Sequence, residues 1–93
     1  MPYIIQQNRT VLEERLKPIL NLSRDLFAGE LHYILTRIVD EYAHQVRVGG
    51  VCYDSIKDVL GTLEAVKQEF YRRVAAPYED MKRNQNGEVY RYS

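Results

Sequence analysis

A single cysteine, Cys52, stands in 93 residues. No intrachain disulfide can form, so the small secreted scaffolds that replace a core with cross-links are excluded. Net charge is missing too, because 13 Lys and Arg face 13 Asp and Glu. The diffuse positive field that concentrates phosphate backbones is therefore lacking, and nucleic acid could be a partner only through a local patch. No apolar run approaches the roughly 18 residues that a membrane-crossing helix needs. The opening stretch "MPYIIQQNR" has neither the basic cluster nor the long apolar segment of a secretory signal, so a cytoplasmic location is expected.

Groupings that carry catalysis are equally scarce. His32 and His44 fall on different helix faces, without the H-x-x-x-H spacing or the cysteine pair that holds zinc. Asp40 and His44 are one helical turn apart, but two donors lack the third and fourth ligands that zinc requires. Cys52 has no identifiable base nearby and reads as a small apolar side chain at a helix start. No serine sits in a nucleophile elbow, and "RVGGV" is too short for a phosphate loop. The expectation is a protein with no catalytic residue, no metal and no cofactor.

What is present is a folding composition, 45% apolar and 28% charged. A chain of this length forms one domain, residues 1–93, small enough that a second chain is expected to help cover its apolar surface. In "TVLEERLKPIL", Thr10 followed by Glu13 reads as a capping box that starts a helix. Pro18 then predicts a kink or a division into two short helices. After a turn near "FAGE", Leu31, Ile34, Leu35, Ile38, Tyr42 and Val46 recur at the spacing of one helical stripe. The glycine pair of "RVGGV" predicts a tight reversal, and Asp54 or Ser55 can cap the next helix. That third helix, long and amphipathic, carries Ile56, Val59, Leu60, Leu63, Val66, Phe70 and Val74 in a near-heptad pattern. At Pro77 it either bends or stops and restarts, and Gly87 closes it as the residue past the end. The fold class is all-α: a small bundle of three to four helices, expected to be oligomeric. The β-prone ends "YII" and "EVYRY" are expected to pair as a short ribbon or to dock on a neighbouring chain.

Tyr33 and Arg37 project away from the apolar stripe of the second helix. They form either a solvated face, with Arg37 paired to Glu30 or Glu41, or a face that binds a ligand or a protein, for which tyrosine and arginine are the preferred residue types. On the third helix Lys67, Tyr71, Tyr78 and Lys82 run along one border of the stripe, provided that the helix keeps its phase through Pro77. Arg73 lies on the opposite border, one turn after Glu69. The ladder of phenols and ammoniums either covers the core rim with wet tips, or forms a groove where rings stack on a planar group and cations meet phosphate oxygens.

"GELHYILTRI", "YDSIKDVLGTLEAVKQEFYRRVAAPYED" and "NGEVY" resemble a family of short proteins of unknown function from bacteria and their phages. Its pattern runs G-[DE]-L-N-Y-x-I-T-R, then L-x-x-[VI]-[IL]-G-x-L-E-x-x-K-x-E-F-Y-R-R-x-x-x-P-Y-E-D-x-K, then N-G-x-V-Y. The chain departs from it at His32, which stands where the pattern has asparagine, and in the loop before Tyr53. The resemblance spans nearly the whole chain, implies a phage or prophage setting in a bacterial cytoplasm, and lends no activity, cofactor or catalytic residue. Its matching positions include Tyr33, Arg37, Lys67, Tyr71, Arg73, Tyr78 and Lys82, the residues projected outside the core or on its rim.

Three functions are therefore open. The first is a non-enzymatic homo-oligomer that holds a small phosphorylated, nucleotide-like ligand in a pocket of those seven residues, as small phage sponges sequester immune nucleotides. The second is a protein-interaction module using the same tyrosine and arginine faces, an inhibitor or adaptor of a host or phage protein. The third is a hydrolase or transferase acting on a nucleotide through Glu79, Asp80 or His44.

Overall fold

The computed structural model describes residues 4–45, 47 and 49–91. Every regular element among them is helical: α1 (Gln6–Ser23), α2 (Ala28–Ala43), α3 (Tyr53–Phe70), a π turn (Tyr71–Ala75) and α4 (Ala76–Asn86). The chain divides into two compact units, Met1–Ser55 and Ile56–Ser93. No described residue lies in a strand; both parts of the expected ribbon, "YII" and "EVYRY", fall partly on residues outside those described.

In the first unit, α1 starts earlier than Thr10. Ile5 precedes the helix, and the Thr10 hydroxyl donates back to the Gln6 carbonyl at 3.2 Å. A threonine inside a helix satisfies its hydroxyl on the preceding turn, so the T-x-x-E pattern here is interior sequence and not a cap. Pro18 lies inside α1, which runs on as one element and not as two. Arg24–Phe27 make the turn into α2, where the Glu30 carboxylate accepts from the Phe27 amide at 2.8 Å and satisfies one orphan donor of the helix start. The α2 stripe runs to Tyr42; Val46, also assigned to it, lies outside the described residues.

Gly49 and Gly50 take φ of 90° and 73°, the left-handed region that glycine enters without steric cost. The Gly50 amide donates to the Gln45 carbonyl at 2.8 Å, closing the reversal after α2. Ser55, in the first turn of α3, is the one fully buried side chain among the described residues. Its hydroxyl accepts from the Cys52 amide at 3.0 Å and lies 3.1 Å from both the Gly50 and Cys52 carbonyls. One hydroxyl thus ties the glycine turn to α3.

From Tyr53 to Asn86 the backbone is continuously helical. Pro77 has no amide hydrogen, and its ring would strike the Arg73 carbonyl of a regular α-helix. The chain relieves the clash with a π turn immediately before it, in which the Ala76 amide reaches back five residues to the Tyr71 carbonyl. Pro77 then occupies the first turn of α4, where its missing donor costs little. The helix therefore neither stops nor keeps its phase: a π turn adds the equivalent of one residue and rotates everything beyond it by roughly 100°. Gly87, with φ 95°, ends α4 and turns the chain into a short C-terminal tail.

No described apolar side chain is fully buried. A fully buried leucine or isoleucine contributes roughly 1.5–3 kcal/mol, and helices of this length are marginal without such packing. Among the described residues, no helix is long and apolar enough to cross a membrane.

Candidate functional site

In the C-terminal unit a concavity of ≈ 560 Å³ lies between the helix and the tail that folds back from it. The π turn and α4 supply Tyr71, Tyr78, Glu79 and Lys82 to one wall; Glu88, Val89 and Tyr90 supply the other. Both walls arise from the chain's punctuation. Because the π turn advances the helix by one residue, Glu79 and not Tyr78 comes to stand over Tyr71, two α-turns on. The Glu79 carboxylate raises the pKa of the Tyr71 phenol above the usual 10.0, first by its negative charge and second as a hydrogen-bond acceptor for the protonated phenol, with lesser contributions from Asp80 and Tyr90. Lys82 Nζ stands 5.6 Å from the centre of the Tyr78 ring, within reach of a cation–π contact.

The tail is held by its own acid. One Glu88 oxygen accepts from the amides of Val89, at 3.1 Å, and Tyr90, at 2.8 Å. Its other oxygen lies 3.5 Å from Nε of Arg83, whose guanidinium also lies 3.7 Å from Asp80. Arg83 is thus a clasp between helix and tail. The Gly87 amide completes the turn by donating to the Arg83 carbonyl at 2.8 Å. Glu79, Asp80 and Glu88 outnumber Lys82 and Arg83, so the concavity offers stacking surfaces and hydrogen-bond acceptors more than positive charge.

Of the seven residues singled out by sequence, Tyr71, Tyr78 and Lys82 line this concavity. Lys67 and Arg73 are exposed on the same unit but are not in its wall; Lys67 lies 3.8 Å from Glu64. Glu69 pairs with Arg72 at 2.8 Å, one residue short of Arg73, which makes no ion pair among the described residues. Tyr33 and Arg37 belong to α2 in the other unit, both exposed. Glu30 is engaged by the Phe27 amide, and Arg37 has no ion pair among the described residues. The tail was the missing wall. Its signal was the glycine of "NGEVY", which turns the chain where the helix ends and brings two apolar side chains with it.

Elsewhere the polar groups serve the fold. His44 Nδ1 sits 2.8 Å from the Asp40 carbonyl oxygen, a helix-end contact. No group of three or more His, Cys, Asp or Glu among the described residues could hold a metal. The Cys52 thiol is lowered from its ordinary pKa chiefly by the Ser55 amide and hydroxyl, with the Asp54 amide adding to the effect. Residues 1–89 match a protein family described as a domain of unknown function, DUF6899. No curated protein and no solved structure matches the chain.

Proposed function

The chain belongs to the DUF6899 family, and we propose that it is a non-enzymatic protein of phage or prophage type, working in the bacterial cytoplasm, that sequesters a small phosphorylated, nucleotide-like ligand. The observation that carries this reading is the C-terminal concavity with Tyr71, Tyr78 and Tyr90 in its walls and Lys82 among them. Its ≈ 560 Å³ lies within the usual range of small-ligand sites. Phenol rings offer stacking faces to a base, Glu79 and Asp80 accept from ring and exocyclic N–H groups, and Lys82 meets a phosphate oxygen. A π turn inside a helix is itself a feature frequently found at functional sites. Arg37, Lys67 and Arg73 lie outside this wall; they join the site only where a second copy of the chain brings cations to its rim.

Calorimetry against a panel of cyclic and ADP-ribose-type nucleotides tests the proposal. Binding to at least one member is expected, weakened in Tyr71→Ala and Lys82→Ala chains that keep the parent's helical circular dichroism. No heat with any member overturns it. Recovery of the ligand unchanged after prolonged incubation separates sequestration from hydrolysis.

A second reading, a protein-interaction module, is favoured by a different observation: apolar side chains are exposed on every helix and tyrosines on every element from α2 onward, and tyrosine with arginine dominates protein hot spots. A pull-down that recovers one stoichiometric partner, lost with Arg37→Ala, supports it, and recovery of none with a ligand bound removes it.

A further inference from the structure

We infer that the helical span from Tyr53 to Asn86 is a seam along which two copies of this chain pair in antiparallel orientation. The inference does not rest on the ligand reading, although Tyr78 belongs both to the proposed seam and to the concavity wall, and it stands on three observations.

The first is an apolar stripe that its own unit leaves uncovered. Ile56, Leu63, Val66 and Phe70 recur at heptad spacing on α3, with Leu60 at the border of the stripe, and the five are between 41% and 63% exposed. The π turn prolongs the stripe. Counted as one added residue, it sets Val74, Tyr78 and Met81 three, seven and ten places beyond Phe70, which is the heptad's own spacing. All three are exposed. Without the π turn the same places would fall to Arg73, Pro77 and Asp80.

The second is length. The span is roughly 50 Å of helix at about 1.5 Å per residue. The other helices, α1 and α2, have 18 and 16 residues, roughly half that length each. A second copy of the span matches it end to end.

The third is charge. On α3, Asp54, Asp58, Glu64 and Glu69 face only Lys57 and Lys67, a net −2. Beyond Phe70, Arg72, Arg73, Lys82 and Arg83 face only Glu79 and Asp80, a net +2. Antiparallel pairing sets each half against its opposite, whereas parallel pairing sets like against like. Helix dipoles favour the same arrangement. A net charge of +0 means that whole copies do not repel one another as they approach.

Light scattering on the full chain is expected to give twice 11.0 kDa or an even multiple of it. A folded, helical monomer at micromolar concentration overturns the inference and leaves the stripe to the chain's own first unit or to a foreign protein. Orientation is read by spin labels on a Cys52→Ser background. Labels at Lys57→Cys are expected roughly 35 Å apart, at about 1.5 Å per residue across the two-fold, and labels at Gln68→Cys much closer. Equal separations at both positions overturn the antiparallel arrangement. Arg72→Glu with Arg73→Glu makes both halves negative while leaving the Arg83 clasp intact, and is expected to raise the dimer dissociation constant at least about tenfold. Adding Asp58→Lys and Glu64→Lys restores opposite signs and should recover the affinity. A loss that the second pair fails to restore overturns the charge argument.

Discussion

Replacing Ser55 by alanine removes the only fully buried side-chain hydroxyl among the described residues. The Cys52 amide then loses the oxygen that lies 3.0 Å away, and the Gly50 carbonyl loses a donor at 3.1 Å. Removing a helix-start cap costs about 1 kcal/mol, and leaving a buried donor unsatisfied costs about 1–3 kcal/mol. The two overlap, because the amide is the group being capped, so the net loss is about 1–3 kcal/mol. For a domain of this size each 1 kcal/mol lowers Tm by roughly 4–8 °C, which gives a drop of roughly 5–20 °C. The assay is thermal unfolding followed by circular dichroism at one fixed protein concentration, since association also moves Tm. Ser23→Ala is the control: its hydroxyl also donates, to the Ile19 carbonyl at 2.7 Å, but from an exposed position where the effect should stay within about 0.5 kcal/mol. If Ser55→Ala melts with the parent, or moves no further than Ser23→Ala, the buried hydroxyl does not tie the turn to α3.

Three further outcomes are expected. Tyr71 titrates above its usual 10.0 because ionising it would set a second negative charge beside Glu79, so ultraviolet titration should show one late phenol, and Glu79→Gln should bring it back down. With the folded value above the unfolded one, its stabilising contribution is complete below about pH 10 and is lost as pH rises through the folded value; the Glu79→Gln chain should lose this dependence. The Cys52 thiol should react with iodoacetamide at lower pH than an ordinary thiol, and Ser55→Ala should move that profile upward, since the Ser55 hydroxyl is one of its stabilisers. Gly87→Ala strains a backbone at φ 95° and ψ 156°, a region open essentially to glycine alone. It should cost about 1–3 kcal/mol locally and weaken ligand binding at the groove while helical circular dichroism is kept.

What the sequence disclosed and what it hid divide along physical lines. The α2 stripe was legible because Leu31, Ile34, Leu35 and Ile38 have only one periodic interpretation. Gly49 and Gly50 were legible because two adjacent glycines after a helix leave few other backbones. Thr10 misled, since a threonine three residues before a glutamate looks the same at a helix start and in a helix interior. At Pro77 the sequence shows that an α-helical hydrogen bond must fail, but not whether the chain repairs it by a bend, a restart or a π turn. That choice moves every later side chain by roughly 100°, and it is why Tyr71 meets Glu79. The line Lys67, Tyr71, Tyr78, Lys82 assumed unbroken phase. Tyr78 and Lys82 still reach the concavity, but as neighbours of one another and not as the continuation of Tyr71. The tail's part was hidden because Glu88 acts through backbone amides and Arg83, which no periodicity displays.

Whether the C-terminal concavity holds a small phosphorylated ligand is tested most directly by mass spectrometry of small molecules released when protein purified from phage-infected cells is denatured. One phosphorylated, base-containing species near one equivalent per site is expected, absent from a Tyr71→Ala chain prepared in parallel. Release of nothing beyond buffer components, or of the same molecules from both chains, would contradict the proposed ligand.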